Sequence, residues 1–345
     1  MSQEKAETEK RLTELLNSSE IKELDIANKK YMIISDIHLG DGGGADDFRK
    51  NEETLTTVLN YYNEHEYELI LLGDIEEFWQ FDLVQISKRY NDTVYKTIRA
   101  FGKDRVHRVF GNHDLEWCGL IDPINNKSSM PACATEAIRM KDSTEKPRIL
   151  LVHGHQGDTE SDKNSWLSRA FVRAYKGIEP ALKVDPHTSA TKSQIITNYE
   201  QIMYTWAKKS NIILICGHSH RAIFASKSYA DTLQDDIHDL QAEILTNKNN
   251  KDIIKPKIKK LEKLLTKQQD EKLKNRNIDP TEPDGDPLPC YFNTGCAIFT
   301  DGITTIEISD DKIKLVKWSR DTTKDPRFDV YGDDTLSKFI TRVTN

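Results

Sequence analysis

The chain reads Tyr31-Met32-Ile33-Ile34-Ser35-Asp36-Ile37-His38 near its start, an apolar run that ends in a carboxylate and an imidazole. Four later segments repeat this arrangement, with polar residues directly after a run rich in Ile, Val and Leu. Their polar motifs are Gly73-Asp74, Gly111-Asn112-His113-Asp114, His153-Gly154-His155 and Gly217-His218-Ser219-His220. Short apolar runs that end at Gly or Asp predict buried strands. Because the carboxyl ends of such strands meet at one edge of a sheet, we expect the five motifs to converge.

The five motifs share one kind of chemistry. Together they offer carboxylates, imidazoles and one amide, a mixture of oxygen and nitrogen donors that suits divalent metal ions of hard to borderline character. A hydrolytic centre with two metal ions is the interpretation that these residues favour. The donor set suits Mn, Fe, Zn and Co alike, and the sequence does not choose among them.

The order of apolar runs and helical stretches predicts the fold class. From Lys30 to about Ser226, strand-like runs alternate with predicted helices, which is typical of a layered α/β domain. After residue 286, short segments of alternating polarity predict an antiparallel meander over one edge of the sheet. We divide the chain into an N-terminal helical leader (1–28), a main domain (29–230 and 286–345) and an inserted helical hairpin with its linker (231–285).

The predicted insertion differs in composition from the rest of the chain. No Phe, Tyr or Trp occurs between Tyr229 and Tyr291. Two apolar stripes, which begin at Leu233 and Ile254, have the spacing of narrow helix faces and predict two antiparallel helices. The second helix carries a run of lysines that we expect to be a solvated face, with binding to a membrane surface or a partner as the alternative. Self-association through the hairpin is a further possibility.

Composition limits the class of function. The 345 residues carry a formal net charge of −7, which gives no strong nucleic-acid signal, because a general nucleic-acid-binding surface requires a basic stripe. No apolar run approaches the length of a transmembrane segment. The first residues lack the apolar core of a signal peptide, and the five cysteines form no paired framework. We therefore predict a cytoplasmic protein with reduced thiols.

The ordered series DxH, GD, GNHD, HGH and GHSH resembles the calcineurin-like metallophosphoesterase superfamily. The resemblance extends from Tyr31 to about Trp318, apart from the insertion, and includes Asn293-Thr294-Gly295-Cys296, which resembles a late Asn-x-Gly-Ser turn of that family. Each motif alone is weak, but all five in order, each after a predicted strand, form a specific signal. The resemblance implies an α/β fold, a four-layer αββα metallophosphoesterase sandwich, here with an inserted helical hairpin.

The resemblance also implies roles for individual residues. The first metal ion would be held by Asp36, His38, Asp74 and His220, and the second by Asp74, Asn112, His153 and His218. With one carboxylate oxygen on each ion, Asp74 would bridge two cations about 3.5–4 Å apart. The neutral amide of Asn112 limits the negative charge and leaves positive charge for a phosphate. A hydroxide that bridges the metals would then attack phosphorus in line.

Two residues beside the ligands are predicted to be catalytic. The family places a histidine such as His113 near the leaving-group oxygen, where it could act as the general acid. A hydrogen bond from His113 to a phosphate oxygen is the alternative role. Asp114 is predicted to orient the His113 imidazole and to favour its protonated form. Arg221 could reach phosphate or form a structural ion pair. His155 could support the ligands or contact the substrate, and Asp158 and Asp162 could support the ligands or be solvated surface residues.

The predicted activity is hydrolysis of a phosphomonoester, a phosphodiester or a pyrophosphate, and the substrate would be a small molecule or a lipid-linked phosphate. The stretch Gly73-Asp74-Ile75-Glu76-Glu77-Phe78-Trp79 resembles that of UDP-2,3-diacylglucosamine diphosphatases, which makes a lipid enzyme of that kind one alternative. Those enzymes typically have Arg where this chain has His113, an arrangement commoner in phosphatases and phosphodiesterases. A nuclease is disfavoured by the acidic charge balance, and a non-catalytic scaffold by the complete set of ligand positions.

Overall fold

The structure is a computed structural model that describes residues 2–117, 134–156, 190–228, 237, 240–241, 254–263, 266, 287–321 and 327–345. Within 2–4 and 190–198 only the backbone is described. The described part of 231–285 is helical at residues 237, 240–241, 254–263 and 266, and the rest of the predicted hairpin lies outside the described residues. No helix in the described part of the chain has both the length and the apolar character needed to cross a membrane.

Two β-sheets form the centre of the fold. The strands are β1 (Lys22–Asp25), β2 (Tyr31–Ile34), β3 (Glu68–Leu72), β4 (Val106–Val109), β5 (Ala137–Lys141), β6 (Pro147–Val152), β7 (Ile213–Cys216), β8 (Ala222–Phe224), β9 (Lys227–Ser228), β10 (Tyr291–Thr294), β11 (Gly302–Ser309), β12 (Lys312–Ser319) and β13 (Phe328–Thr335). One sheet has the order β1-β5-β6-β7-β10-β8-β9 and the other β13-β12-β11-β2-β3-β4. The alternating segments 304–308 and 312–318, from which the late meander is predicted, lie in β11 and β12, which pair antiparallel beside β2 and are followed by β13. Segment 291–293, expected in the same meander, instead forms β10 of the other sheet, and segment 297–299 is not a strand.

Helices cover the outer faces of both sheets. They are α1 (Ser2–Asn17), α2 (Glu52–Glu64), α3 (Leu83–Tyr90), α4 (Val94–Ala100), α5 (Ala190–Lys209) and α6 (Leu336–Thr344). The first of two buried clusters joins α2, α3 and α4 to the six-stranded sheet, and the second joins α1 and α5 to the seven-stranded sheet and to the space between the sheets. This arrangement confirms the α/β class and the metallophosphoesterase-like sandwich.

Strand β2 shows why the central runs are continuously apolar. Tyr31 and Ile33 belong to the cluster between the sheets, whereas Met32 and Ile34 belong to the cluster under α2. All four side chains are fully buried, because alternate residues of a strand point to opposite faces and both faces are covered. The same register places the ends of β2, β3 and β4 side by side, with Ile34 opposite Leu71 and Leu72 opposite Val109.

The N-terminal segment packs as part of these layers. Leu12 and Leu15 of α1 are buried against the core, and the Trp206 indole of α5 donates a hydrogen bond to Thr13 Oγ1 at 3.0 Å. Strand β1, which we had assigned to the leader, pairs in parallel with β5 at the edge of the seven-stranded sheet. The division of the chain into leader, main domain and insertion stays a prediction, but residues 2–25 share the core of the main domain.

Candidate metal centre

The predicted ligands lie on sharp turns directly after strands. Left-handed backbone angles occur at five of the seven: Asp36 (φ 52°), His38 (53°), Asp74 (52°), His218 (66°) and His220 (58°). Asp and His adopt this region more readily than most residues with a side chain, and strained backbone of this kind concentrates at functional sites. Each turn reverses the chain at the strand end, so that the polar side chains face one another across the edges of the two sheets.

Glycines permit these turns to pack closely. Gly111 is adjacent to Asp74, and a Cβ at Gly111 would lie 2.7 Å from the Asp74 backbone nitrogen and 2.8 Å from His153 Cδ2. Such a distance is far below normal van der Waals contact, and the neighbouring atoms are ligand-bearing groups with little room to shift. The glycine of the GNHD motif is therefore required by the close approach of three ligand-bearing segments.

Asp36, His38 and His220 form the first cluster of donor atoms. Their ligand atoms all lie within 4.8 Å of one another. His220 Nε2 lies 3.1 Å from Asp36 Oδ1 and 3.2 Å from His38 Nε2. The structure thus brings together three of the four residues predicted for the first metal ion, and the fourth, Asp74, has its Oδ2 3.9 Å from His38 Nε2.

Asp74, His153 and His218 form the second cluster, again with all ligand atoms within 4.8 Å. Asp74 Oδ2 lies 3.0 Å from His153 Nε2, while Asp74 Oδ1 accepts a hydrogen bond from the His113 backbone N–H at 2.8 Å. One carboxylate oxygen therefore faces histidines of both clusters. Asn112, the remaining predicted ligand, is 5% exposed at the end of the neighbouring strand.

Three buried polar atoms at the centre make no hydrogen bond: Asp36 Oδ1, Asn112 Oδ1 and His153 Nε2. The first and third have only charged groups of the clusters nearby, His220 Nε2 at 3.1 Å and Asp74 Oδ2 at 3.0 Å. A buried polar atom without a partner costs about 1–3 kcal/mol. Each of these atoms carries a lone pair that a cation can accept, and their combined chemistry is that of mixed oxygen and nitrogen ligands. The residues present therefore fit divalent metal ions.

Hydrogen bonds on the far side of two imidazoles orient them toward the clusters. His38 Nδ1 contacts Glu77 Oε2 at 3.0 Å, and His153 Nδ1 contacts the Leu72 carbonyl oxygen at 2.9 Å. Since these partners are acceptors, the proton of each neutral ring stays on Nδ1 and the lone pair of Nε2 faces the cluster. This is the usual arrangement of a histidine that binds a metal ion.

The carboxylates and imidazoles of the centre shift one another's pKa values. Burial alone would raise the pKa of Asp36 and of Asp74, but the adjacent histidines outweigh it and hold both pKa values well below the usual range. Burial lowers the pKa of His153, yet the Asp74 carboxylate outweighs this effect and raises the pKa to about 9. Without a metal the carboxylates are thus neutralised by imidazolium protons, which a bound cation must displace.

The family model for calcineurin-like phosphoesterases matches residues 29–222, which is more than half of the 345 residues. The chain belongs to this family. Among curated proteins no match was found. Family membership and the His and Asp clusters together identify a metal-dependent phosphoester hydrolase that binds divalent metal.

The structure corrects the role that the sequence suggested for Asp114 in this phosphoesterase. The fully buried Asp114 carboxylate accepts hydrogen bonds from the backbone N–H of Gly111 at 2.6 Å and of Ile75 at 2.9 Å, and it lies 3.3 Å from the Arg108 guanidinium. It therefore ties the Asp74 and Asn112 segments together and does not orient the His113 ring. Adjacent residues on a tight turn point in different directions, and Asp114 points toward the buried arginine.

Glu77 takes the position that we had predicted for Asp114. Its Oε2 lies 2.7 Å from His113 Nδ1 and 3.0 Å from His38 Nδ1, so that one carboxylate oxygen joins the predicted general acid to a predicted metal ligand. Burial would raise the pKa of Glu77, but the His113 and His38 imidazoles lower it well below its usual range. The sequence analysis assigned no role to Glu77. The feature that could have identified it is its position three residues after Asp74, within the Gly73–Trp79 stretch.

Trp79 fixes the other side of the His113 ring in the phosphoesterase. The two rings are stacked, with centroids 4.0 Å apart and an interplanar angle of 17°. The Trp79 indole N–H also donates a hydrogen bond to the Asn112 carbonyl oxygen at 2.9 Å. With Glu77 on Nδ1 and Trp79 against the ring face, His113 is held in one orientation.

A buried ion cluster lies beneath the turns that carry Asp74 and Asn112. Arg108, fully buried, pairs with Glu76 and Asp114, and its guanidinium lies 4.3 Å from the Trp117 ring centroid. Glu76 also accepts hydrogen bonds from Tyr95 Oη and Trp117 Nε1, both at 2.8 Å. One arginine and two carboxylates thus compensate one another away from solvent, which makes each partner costly to remove.

The remaining predicted residues have separate positions. His155 is buried, and burial lowers its pKa well below the usual range, so it is a neutral ring near the second cluster. Arg221 forms an ion pair with Glu200 of α5, which corresponds to the structural alternative that we had predicted. Asp158 and Asp162 lie outside the described residues.

Proposed function

We propose that the protein hydrolyses a phosphomonoester, phosphodiester or pyrophosphate at a centre of two divalent metal ions. The observation that carries this proposal is the pair of donor clusters that meet at Asp74 Oδ2. The first ion would be bound by Asp36, His38, Asp74 and His220, and the second by Asp74, Asn112, His153 and His218. Mn, Fe, Zn and Co all suit this donor set.

The charge of the donor set favours a phosphorylated substrate. Of the seven predicted ligands only Asp36 and Asp74 are carboxylates, and the others are neutral imidazoles or an amide. Two divalent cations would therefore keep a net positive charge, which binds phosphate and stabilises the negative charge of the transition state. The side chains contribute by fixing the positions of the donors before substrate binds, so that little reorganisation is needed during the reaction.

His113 is the residue that we expect to act on the leaving group. Its Nδ1 is occupied by Glu77, so Nε2 is the atom available to a substrate oxygen. In the predicted role, Nε2 donates a proton to the leaving-group oxygen as the ester bond breaks. In the alternative role, Nε2 only donates a hydrogen bond to a phosphate oxygen.

A UDP-2,3-diacylglucosamine diphosphatase-like activity on a lipid-linked pyrophosphate is the second candidate. Glu77 and Trp79, from the Gly73–Trp79 stretch that suggests it, contact the His113 ring. Against it stands His113 itself, since those enzymes typically have Arg at this position. We therefore place phosphatase and phosphodiesterase activities first, with a cytoplasmic small molecule or lipid-linked phosphate as substrate.

The test is hydrolysis by metal-stripped protein to which Mn, Zn, Fe or Mg is added back. Three substrates distinguish the activities: p-nitrophenyl phosphate, bis-p-nitrophenyl phosphate and UDP-2,3-diacylglucosamine. We expect turnover to return with metal and one substrate to be preferred. Protein that retains no metal under any of these conditions would contradict the proposal and favour a scaffold.

Asp74→Asn is the variant that tests the bridging role. We expect it to lose both metal retention and activity with little change in fold, because the amide lacks the negative charge that two cations would share at Oδ2. Asp104→Asn, a change at an exposed aspartate after α4, is the matched control and should behave as the wild type. Full activity of Asp74→Asn would overturn the bridging role.

A further inference from the structure

The turn Asn293-Thr294-Gly295-Cys296 lies next to the metal centre although it follows the insertion in sequence. Strand β10, which leads into this turn, pairs in parallel with β7, with Asn293 opposite Cys216. The next residues after Cys216 are Gly217 and His218, so Asn293 is adjacent to the turn that carries two predicted ligands. The family match ends at residue 222 and does not include β10.

Asn293 connects this turn to the His218 segment. Its Nδ2 donates hydrogen bonds to the Gly217 carbonyl oxygen at 2.6 Å and to Ser219 Oγ at 3.1 Å, while its Oδ1 accepts one from the Gly295 N–H at 2.9 Å. The side chain is fully buried. Only an amide has both the donors and the acceptor that these three contacts require. One side chain thereby holds the Gly217 backbone and the Ser219 hydroxyl, on either side of His218.

Thr294 connects the same turn to Asp36 through Ser35. Thr294 Oγ1 lies 2.6 Å from Ser35 Oγ, and the Ser35 hydroxyl in turn donates to Asp36 Oδ2. Asp36 Oδ2 also accepts a hydrogen bond from the His218 backbone N–H at 3.0 Å. Both hydrogen bonds are to Oδ2. Oδ1 makes no hydrogen bond and faces the first cluster. The chain Thr294–Ser35–Asp36 therefore determines which carboxylate oxygen faces the ligands.

We propose that Asn293 and Thr294 are positioning residues of the metal centre, which fix the His218 turn and the rotation of the Asp36 carboxylate. This inference rests on the proposed function, since it concerns metal ligands. Residues 29–222 alone therefore lack part of the support for the centre. The support is complete only with β10, which follows the predicted insertion in sequence and pairs with β7.

Thr294→Val tests the proposal, with Thr305→Val as the matched control. Both threonines are fully buried, but the Thr305 hydroxyl lies 3.2 Å from Tyr62 Oη and is not bonded to a ligand-bearing residue. The measurement is the Mn²⁺ affinity of the metal-stripped full chain by calorimetry, together with its melting temperature before metal is added. For Thr294→Val we expect affinity about tenfold or more below the wild type, as for other residues that orient ligands.

Three comparisons decide the outcome. Thr305→Val should keep Mn²⁺ affinity within about twofold of wild type, and Thr294→Ser, which keeps the hydroxyl, should recover most of the loss. Asn293→Asp places a carboxylate oxygen where an amide donor now meets the Gly217 carbonyl, so it should also weaken Mn²⁺ binding about tenfold or more. If Thr294→Val does not fold, Thr294→Ala and Asn293→Asp carry the same test.

Other results would overturn the inference. Affinities of the Thr294 and Asn293 variants equal to wild type would exclude positioning, and so would an equal loss in Thr305→Val. A fall in the melting temperature of the metal-free protein with unchanged Mn²⁺ affinity would indicate a purely structural role. These results leave the proposed function intact, whereas a wild-type protein that binds no Mn²⁺, Zn²⁺, Fe²⁺ or Co²⁺ would overturn both.

Discussion

Glu77 joins two parts of the site through a single oxygen atom. Its Oε2 contacts Nδ1 of His38, a predicted metal ligand, and Nδ1 of His113, the predicted general acid. A carboxylate oxygen can accept both hydrogen bonds, whereas the amide of a glutamine offers one acceptor and one donor group. The negative charge of Glu77 also favours a proton on Nδ1 of each ring. Nε2 of neutral His38 then has its lone pair free for a metal ion, whereas His113 donates from Nε2 only as the imidazolium, with a proton on both nitrogens.

We predict that Glu77→Gln lowers kcat/KM about 10- to 100-fold, since changes to residues that orient metal ligands have effects of this size. The measurement is steady-state hydrolysis of p-nitrophenyl phosphate together with metal content. Glu307→Gln is the control, because Glu307 is similarly buried but contacts Tyr62, away from the ligands. Equal rates in the wild type and Glu77→Gln would show that the carboxylate does not support the site.

Asp114 differs from Glu77 because its contacts are to backbone N–H groups and to Arg108. We predict that Asp114→Asn lowers the free energy of unfolding by about 3 kcal/mol, since Arg108 loses one of its two carboxylate partners and an N–H group replaces one of the two oxygens that accept backbone hydrogen bonds. Denaturant unfolding of the metal-free protein measures this loss. An unchanged stability with lost activity would instead support the catalytic role that the sequence suggested for Asp114.

At the scale of elements, α1 packs against the core like any other helix of the fold. Leu12 is fully buried, and Leu15 is 4% exposed. We predict that Leu12→Ala lowers the free energy of unfolding by about 3 kcal/mol through lost burial and the cavity that remains. Thermal or urea unfolding provides the measurement.

Lys10→Ala, two residues away on the exposed face of α1, is the control for this change. Its side chain is 78% exposed, and its effect should stay within about 0.5 kcal/mol. If Leu12→Ala were as harmless as Lys10→Ala, α1 would be a loosely attached leader and not part of the core.

Strand β10 also brings residues that are distant in sequence into the main fold, in this case next to the site. Residues 217–290, which include the predicted insertion, separate it from β7 in sequence, yet the two strands are neighbours and their ends share hydrogen bonds. A parallel pair requires a crossover connection, and the insertion lies within the chain that makes this connection. The β10 residue that supports the His218 turn, Asn293, is therefore distant from it in sequence but adjacent to it in space.

At the scale of the whole molecule, the metal centre joins both sheets. Asp36, Asp74 and Asn112 follow strands of the six-stranded sheet, whereas His153, His218 and His220 follow strands of the seven-stranded sheet. Ions bound between them would cross-link the two halves of the fold and stabilise the native state over the unfolded chain. The size of this effect depends on metal concentration relative to the dissociation constant.

We predict that removal of metal with a chelator lowers the melting temperature and that added Mn²⁺ restores it. At a free metal concentration about 100 times the dissociation constant, the stabilisation is about 2.7 kcal/mol. Differential scanning fluorimetry of the wild type and Asp74→Asn provides the comparison, because the variant should respond to neither treatment. A melting temperature of the wild type that is independent of metal would contradict binding between the sheets.

Local patterns in the amino-acid sequence are sufficient to predict the strand ends and the polar residues that follow them. Apolar runs such as Tyr31–Ile34 and Ile213–Cys216 are buried on both faces. A strand buried on two sides has a nearly continuous run of apolar residues, which is visible in the sequence. The turn residues that follow must be polar and tolerate unusual backbone angles, so Asp36, Asp74 and His218 also stand out locally. These local patterns predicted the α/β class, and the resemblance of the five ordered motifs to a known family implied the seven candidate ligands.

The side chains that meet around those ligands depend on the packing of distant segments. Asp114 follows His113 in sequence, but Glu77, which follows a different strand, is the residue that contacts the His113 ring. Asn293 and Thr294 come from beyond the insertion, and β1 joins a sheet whose next strand begins at Ala137. Hydrogen bonds between such distant residues depend on how the two sheets are registered and packed, and no local pattern in the chain encodes that geometry.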